Sequence, residues 1–410
     1  PGTGKTTTVA RIVALLLEQQ RADDHDLLIG LAAPTGKAAA RLEEAVHDEA
    51  QGLDVAGAVR AQLLDLHAST LHRLLGWRPG SHSRFRHHRA NRLPHDVVIV
   101  DETSMVSLSL MARLVEAVRP GARLVLVGDP GQLTSIEAGA VLGDIVGPAT
   151  GEGIVVLDRV HRFGGAIALL ADAIRAGDGD AVMALLEAQP DDVTWIAADV
   201  EQDEAQPALD ALRDQATTAG RAVFQSASRG DARDAIAALG AFRVLCAHRR
   251  GAHGVAAWTA RIEGWLASAI DGFDPDGPAY VGRPLLVTEN DYELRLYNGD
   301  TGVVVRTEAD RVSACFERGG ELLEFTPTRL GAIETVFAMT IHKSQGSQFD
   351  TTVVLLPPPT SRILTRELLY TAATRARRRL ILVGTQETIR FAVARPVARA
   401  SGLRERLWGA

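Results

Sequence analysis

Lysine is nearly missing from this sequence. Of 44 basic residues only Lys5, Lys37 and Lys343 are lysine, and all three stand in turns rich in Gly, Thr or Ser: PGTGKTTT, APTGKAAA and TIHKSQGSQ. Arginine is a planar fork and lysine a compact point charge, so a lysine kept in an arginine background marks a place too narrow for a guanidinium. Cysteine is scarce too. Cys246 and Cys315 stand far apart and in no CxxC pair, which excludes a disulfide framework and a cysteine-rich zinc or iron–sulfur site. Long apolar runs are lacking: LLIGLAA and TTVVLLPPP fall far short of the ~20 residues a membrane span needs. No basic-then-apolar leader opens the sequence, so no membrane role and a cytoplasmic location are expected. Nor is there an excess of positive charge. A net charge of −7 argues against indiscriminate affinity for nucleic acid and leaves room only for a local basic surface.

What is present describes a globular chain. It has 410 residues, 46% hydrophobic and 23% charged, enough for two or three domains. LLIGLAAPT, DVVIVDE, ARLVLVGD and GIVVLDRV are short, apolar and β-branched, each ends in a polar turn, and helical stretches separate most of them. That rhythm predicts a parallel sheet covered on both faces. Residues 166 to about 240 read as Ala-rich helix broken at QPDD and TAGR. FRVLCAH, VFAMTIHKSQG, TTVVLLPPP and RLILVGT form a second strand set. YVGRPLLVTEN, TGVVVRTE, VSACFERGG and ELLEFTPT alternate apolar and polar residues around turns at NGDTG and RGG, which predicts a small antiparallel sheet or barrel. The fold class is therefore α/β: a first lobe over 1–160 with a basic insertion at about 43–95, a second lobe over 161–275 and 330–410, and a small β-barrel-like insertion over 276–329.

PGTGKTT completes the phosphate-binding pattern G-x-x-x-x-G-K-[ST]. Its first glycine would stand two positions before Pro1, so the chain reads as a fragment that starts inside its own motif. Gly2, Thr3, Gly4, Lys5, Thr6 and Thr7 form the expected ATP-binding set: backbone N–H groups cradle phosphate, Lys5 reaches the β/γ-phosphates, and Thr6 ligates Mg²⁺. Asp101 and Glu102 follow four apolar residues in DVVIVDETSM, where a strand delivers them to the lip of a parallel sheet. Asp101 is expected to hold Mg²⁺ and Glu102 to orient and deprotonate the attacking water. Gln132, in the turn of RLVLVGDPGQL, suits a γ-phosphate sensor. Arg162 and Arg375 are the candidates for neutralising charge on the transferred phosphoryl group, while Arg377, Arg378 and Arg379 read as a solvated helix end or phosphate contacts.

Taken together these motifs resemble the superfamily 1 helicases, and most closely the RecD family, the exodeoxyribonuclease V alpha subunit. PGTGKTT is similar to motif I, LAAPTGKAAARL to Ia, STLHRLLG to Ib, VVIVDETSMV to II, LVGDPGQLTSIEAGAVLGDI to III, LDRVHRF to IV, MTIHKSQGSQFD to V and LLYTAATRARRRLILVG to VI. The resemblance implies two RecA-like P-loop lobes and an ATP-driven motor moving 5′ to 3′ on single-stranded DNA. It implies a DNA channel lined by Thr35, Lys37, Thr70, His72, Thr340, His342, Lys343 and Ser344, and two partner subunits that process duplex DNA ends in double-strand break repair, the nuclease centre lying in a partner. His161 and Gln348 depart from the family pattern without removing its chemistry. A stand-alone RecD-like helicase, a relaxase-associated helicase and a non-catalytic P-loop scaffold are the alternatives.

Between Leu66 and His95 no acidic residue occurs, while six arginines and six of the twelve histidines do. The stretch is a candidate phosphate-neutralising patch, with Trp77 and Phe85 available to stack on bases. In the inserted sheet Asn290, Tyr292 and Asn298 are further candidates, with Asn298-Gly299 equally readable as a plain turn.

Overall fold

The computed structural model describes residues 4–20, 27–78, 85–133, 141–147, 153–157, 165–201, 207–291, 293–307, 311–397 and 402–409. It divides into two compact units, Pro1–Arg162 with Ala398–Ala410, and Phe163–Val397. No helix among the described residues is long and apolar enough to cross a membrane.

The first unit contains α1 (Lys5–Gln20), β1 (Ile29–Ala33), α2 (Gly36–Gly52), α3 (Gly57–Leu64), β2 (Ala68–Thr70), α4 (Leu71–Leu74), β3 (Val97–Val100), α5 (Leu108–Ala117), β4 (Arg123–Leu126) and α6 (Val141–Val146). Its four strands are parallel, in the order β2-β1-β3-β4. Every residue of β1 and β3 is buried, as a sheet covered on both faces requires. Side chains alternate along a strand: Val97 and Ile99 pack with Val9, Val13 and Leu17 of α1 and Leu42 and Val46 of α2, whereas Val98 and Val100 meet Leu71, Leu93, Met111 and Leu114. The run expected as a further strand, GIVV, forms none. Val155 is 83% exposed and the run pairs with no strand among the described residues. A β-branched run needs a partner edge to bury against, and composition alone does not supply one.

The second unit follows with α7 (Gly165–Ala176), α8 (Gly179–Glu187), β5 (Val193–Ile196), α9 (Asp210–Ser228), α10 (Ala232–Ala241), β6 (Phe242–Cys246), α11 (Val255–Ala269), β7 (Pro284–Val287), β8 (Thr301–Arg306), β9 (Val312–Arg318), β10 (Glu321–Phe325), β11 (Ile333–Thr335), β12 (Ala338–Thr340), β13 (Phe349–Leu355), α12 (Arg366–Ala373), β14 (Ala376–Val383) and α13 (Gln386–Ala394). One sheet is parallel, in the order β12-β6-β13-β14-β5. Strand β5 lies in a stretch that reads as helical, and it is fastened to β14 by the Trp195 Nε1 bond to Gly384 O at 2.9 Å. The other sheet is antiparallel, ordered β10-β9-β8-β7-β11. It extends to β11, beyond the expected limit at 329, and it is an open sheet among the described residues rather than a barrel. Arg377, Arg378 and Arg379 lie exposed on β14 rather than at a helix end.

The closing residues, expected in the second lobe, group with the first unit. There α14 (Leu403–Trp408) packs on α6, and Trp408 Nε1 donates to Asp144 O at 2.9 Å. Both cysteines are free and buried; burial, with Glu324 nearby, pushes the Cys315 thiol up to about 12, so it behaves as a small hydrophobe.

One histidine gives the first unit a pH dependence. The His95 ring lies 3.0 Å from where a Cβ on Gly30 would stand, and its Nδ1 is buried without a partner. Burial first, then His87 and Arg119, hold its pKa below the ordinary value against the opposing pull of Asp96. Folding therefore favours the neutral ring. Its contribution is complete above the unfolded value of about 6.5 and is lost as pH falls through the lower folded value. The melting temperature is expected to fall on acidification across this window, and His95→Phe to flatten that fall; equal slopes in both proteins would contradict the assignment.

Candidate nucleotide site and nucleic-acid edge

In the first unit the site is built where loops leave the carboxyl ends of parallel strands, the usual place for a ligand crevice. Gly4 adopts φ 75°, a left-handed turn that a Cβ would resist, and passes the chain directly into α1 at Lys5. Thr8 Oγ1 donates to Gly4 O at 2.9 Å and closes the first turn. Thr6 and Thr7 are half-buried in that turn. Gly2, Thr3 and Arg162 lie outside the described residues.

Three backbone bonds knit the strand ends together: Asp101 N to Ala32 O at 2.9 Å, Thr103 N to Val127 O at 2.9 Å and Val127 N to Val100 O at 2.8 Å. Asp101 is 8% exposed, and its Oδ1 accepts the Glu102 N–H at 2.8 Å. Glu102 itself stands at φ 50°, ψ 38°, a left-handed conformation uncommon for a residue with a side chain. It is held there by Met105 N donating to Glu102 O at 3.0 Å and by the buried Thr103 hydroxyl bonded to Val100 O at 3.0 Å.

Beyond β4, Gln132 is 3% exposed and donates from Nε2 to Asp129 Oδ2 at 3.2 Å. Asp129 Oδ1 accepts from Gly131 N at 3.0 Å. Burial alone would raise the Asp129 carboxyl, while Lys5 nearby and the Gln132 amide pull it down. Asp129 was not singled out from sequence. The available signal was an aspartate closing the strand in LVGDPGQL, which reads equally well as a turn residue.

At the same sheet edge, Ala33 is paired with Thr70 across β1 and β2. The Thr35 hydroxyl caps α2 by accepting Ala38 N at 3.2 Å, and the Thr70 hydroxyl caps α4 by accepting Arg73 N at 3.2 Å. Lys37 is half-buried in the first turn of α2, and His72 is exposed with its ring 6.0 Å from that of Phe85. The fold thus brings these four residues together. In the basic stretch beyond, Trp77 and Phe85 form an antiparallel bridge and Trp77 stays exposed. Arg92 is withdrawn from the patch, because its guanidinium is engaged by Glu116 O and Val118 O at the end of α5.

The second unit repeats the arrangement on its own parallel sheet. Thr340 closes β12 and accepts Lys343 N at 3.2 Å, with His342 half-buried between them. Ser344, expected on the strand channel, is fully buried and donates to Ile341 O at 2.7 Å; its side chain is used up inside the turn. Lys343 Nζ lies 2.9 Å from Glu334 Oε2. Arg375 is 3% exposed; its Nε donates to Thr371 O at 3.0 Å and its Nη1 to Ser347 O at 3.3 Å. It therefore joins the turn after β12 to the end of α12. In the inserted sheet Asn298 lies in a turn, its N–H donating to Asn290 Oδ1 at 2.9 Å, followed by Gly299 at φ 98°; Tyr292 is outside the described residues.

A lysine at the start of a helix, an Asp-Glu pair at the end of β3 and a buried Asp-Gln couple beyond β4 define a P-loop nucleoside triphosphatase. A family model described as an AAA domain matches residues 1–198, and one described as a UvrD-like helicase C-terminal domain matches residues 335–383. The chain is 55% identical to the RecBCD enzyme subunit RecD of Mycolicibacterium smegmatis over 99% of its own length and 71% of that relative. It is 31% identical to the ATP-dependent RecD2 DNA helicase of Deinococcus radiodurans over 99% of its length and 49% of that relative. Among solved structures, Bacteroides Pif1 bound to single-stranded DNA matches 95% of this chain and 88% of its own at 17% identity, with a TM-score of 0.47. The chain belongs to the RecD family of ATP-dependent DNA helicases, and the P-loop domain binds nucleotide.

Proposed function

We propose that this chain is the RecD subunit of a three-part helicase–nuclease, exodeoxyribonuclease V, and that it moves 5′ to 3′ on single-stranded DNA at duplex ends in the cytoplasm. The observation that carries the reading is the gathering of Lys5, Asp101, Glu102, Asp129 and Gln132 at one edge of one parallel sheet, with Thr35, Lys37, Thr70 and His72 beside them. The partners follow from the name of the 55% identical relative, and the lower identity to RecD2 favours a complex subunit over a stand-alone enzyme.

The phosphate loop and Lys5 hold the triphosphate. Thr6 and Asp101 offer the hard oxygen donors that Mg²⁺ prefers, and the bound ion would neutralise charge between the β- and γ-phosphates. Glu102, presented by its left-handed backbone, orients and deprotonates the attacking water. Gln132, steadied by Asp129, senses the γ-phosphate. Arg162 and Arg375 are assigned to the charge that develops in phosphoryl transfer; Arg375 must exchange its bonds to Thr371 O and Ser347 O to do so. Thr35, Lys37, Thr70 and His72 form one grip on the strand and Thr340, His342 and Lys343 another, with Ser344 holding the second grip in shape. Translocation requires that hydrolysis loosen the two in turn.

ATP hydrolysis by the full chain is expected to rise severalfold when single-stranded DNA is added, and the chain to co-purify with its two partners. Hydrolysis indifferent to DNA, alone and in the complex, would leave a nucleotide-binding scaffold as the better reading.

A further inference from the structure

Strands β6 and β12 are parallel neighbours, with Cys246 directly beside Thr340. Three residues past each, the loops carry Arg249 and Lys343 to the same edge of the sheet. Between these two cations stands Glu334, on β11 of the antiparallel sheet. Its Oε2 is 2.9 Å from Lys343 Nζ and its Oε1 is 3.8 Å from Arg249 Nη2. One carboxylate therefore faces two cations with its two oxygens, the arrangement a phosphodiester would adopt in the same place. The shared carboxylate is open to water: Glu334 is 53% exposed and Arg249 70%, with Lys343 more sheltered at 24%. Exposed ion pairs are weak and exchange cheaply for another anion. The loop bearing Arg249 is also fixed in shape, since Gly251 stands at φ 87°, a Cβ on Gly254 would strike the Arg250 backbone at 2.5 Å, and Ala256 N donates to Arg249 O at 3.1 Å.

Resting on the reading of Lys343 as a DNA contact, we propose that Arg249 and Lys343 form a two-cation seat for one backbone phosphate of single-stranded DNA, and that Glu334 fills this seat until the strand displaces it. Arg249 is then a DNA-binding residue, and Glu334 sets how much of the affinity is lost to competition. The antiparallel sheet gains a function: it holds the competing carboxylate in register, β11 being paired to β7 at Glu334 opposite Leu286.

The test is binding of a fluorescent oligothymidylate to the full chain over a range of salt, comparing Glu334→Gln, Glu334→Asp, Arg249→Ala and Lys343→Ala. Glu334→Gln is expected to tighten binding about two- to fivefold, the equivalent of losing one exposed ion pair. Glu334→Asp, which keeps the charge but shortens its reach, is expected to tighten it part of the way. Arg249→Ala is expected to weaken binding about three- to tenfold and to reduce the salt slope by about 0.7, the value for one phosphate on a single strand. Glu334→Asp behaving as wild type while Glu334→Gln binds more tightly would mean plain repulsion and overturn the seat, as would an Arg249→Ala protein with unchanged affinity and slope. In both of those cases Lys343→Ala still weakens binding. If Lys343→Ala binds as wild type, the DNA-contact reading fails with it.

Discussion

Glu102→Gly is expected to melt at a higher temperature than the parent while hydrolysing ATP about 10²- to 10⁴-fold more slowly. The two effects have separate causes in one residue. The backbone of Glu102 is left-handed at φ 50°, a conformation costing about 1–3 kcal/mol for a residue with a side chain. Glycine adopts it freely but gives up more disorder on folding, so the net gain is about 1 kcal/mol, seen as a rise in melting temperature. The carboxylate assigned to water activation goes with the side chain. Glu102→Gln separates the two: it retains the strain, and it is expected to lose hydrolysis to the same degree with no stability gain. Nucleotide binding, measured by fluorescence of a labelled analogue, should survive in both. A Glu102→Gly protein that is less stable and still active would remove Glu102 from the catalytic assignment.

Arg375→Ala is expected to cost about 3–5 kcal/mol of stability in the second unit and to abolish DNA-stimulated hydrolysis. The guanidinium is buried and its bonds to Thr371 O and Ser347 O tie the turn after β12 to the segment that enters β14. Truncation opens a cavity and strands buried carbonyls at once, and such losses add. Arg375→Lys keeps the charge but not the fork, so it cannot serve both carbonyls; about half the stability loss is expected, measured by urea denaturation. If Arg375→Lys recovers that half of the stability yet remains inactive, the guanidinium acts on the phosphoryl group. If activity follows stability in both variants, its work is to position the turn that carries Lys343.

The parallel strands were legible because burial on both faces leaves continuous apolar runs, as in Ile29–Ala33 and Val97–Val100. The same criterion misled at GIVV, which pairs with no strand among the described residues, and it passed over Val193–Ile196, where Thr194 interrupts the apolar run and only the two end residues are buried. The residues proposed for the nucleotide could be named from sequence for a different reason: a phosphate loop and a strand-end Asp-Glu pair are local in sequence. Asp129 and Glu334 were not. Each acts through a side chain brought to it by another element, Lys5 near Asp129 and Lys343 beside Glu334, and no spacing along the chain records such a meeting. Ser344 shows the converse, a residue in the right motif whose hydroxyl faces inward.

The return of the chain to its first unit has a consequence for synthesis. Residues 1–162 and 398–410 form one unit, while 163–397 form the other. A ribosome working at about 5–20 residues per second therefore completes the second unit, over roughly 12–50 s, before α14 exists. Until then α6 lacks Trp408 on Asp144 O, and the core around Val98, Val100 and Leu114 lacks Leu403. The unit begun first is finished last, so a nascent chain stalled after Val397 should carry a folded second unit and an unclosed first one, open to protease near α6.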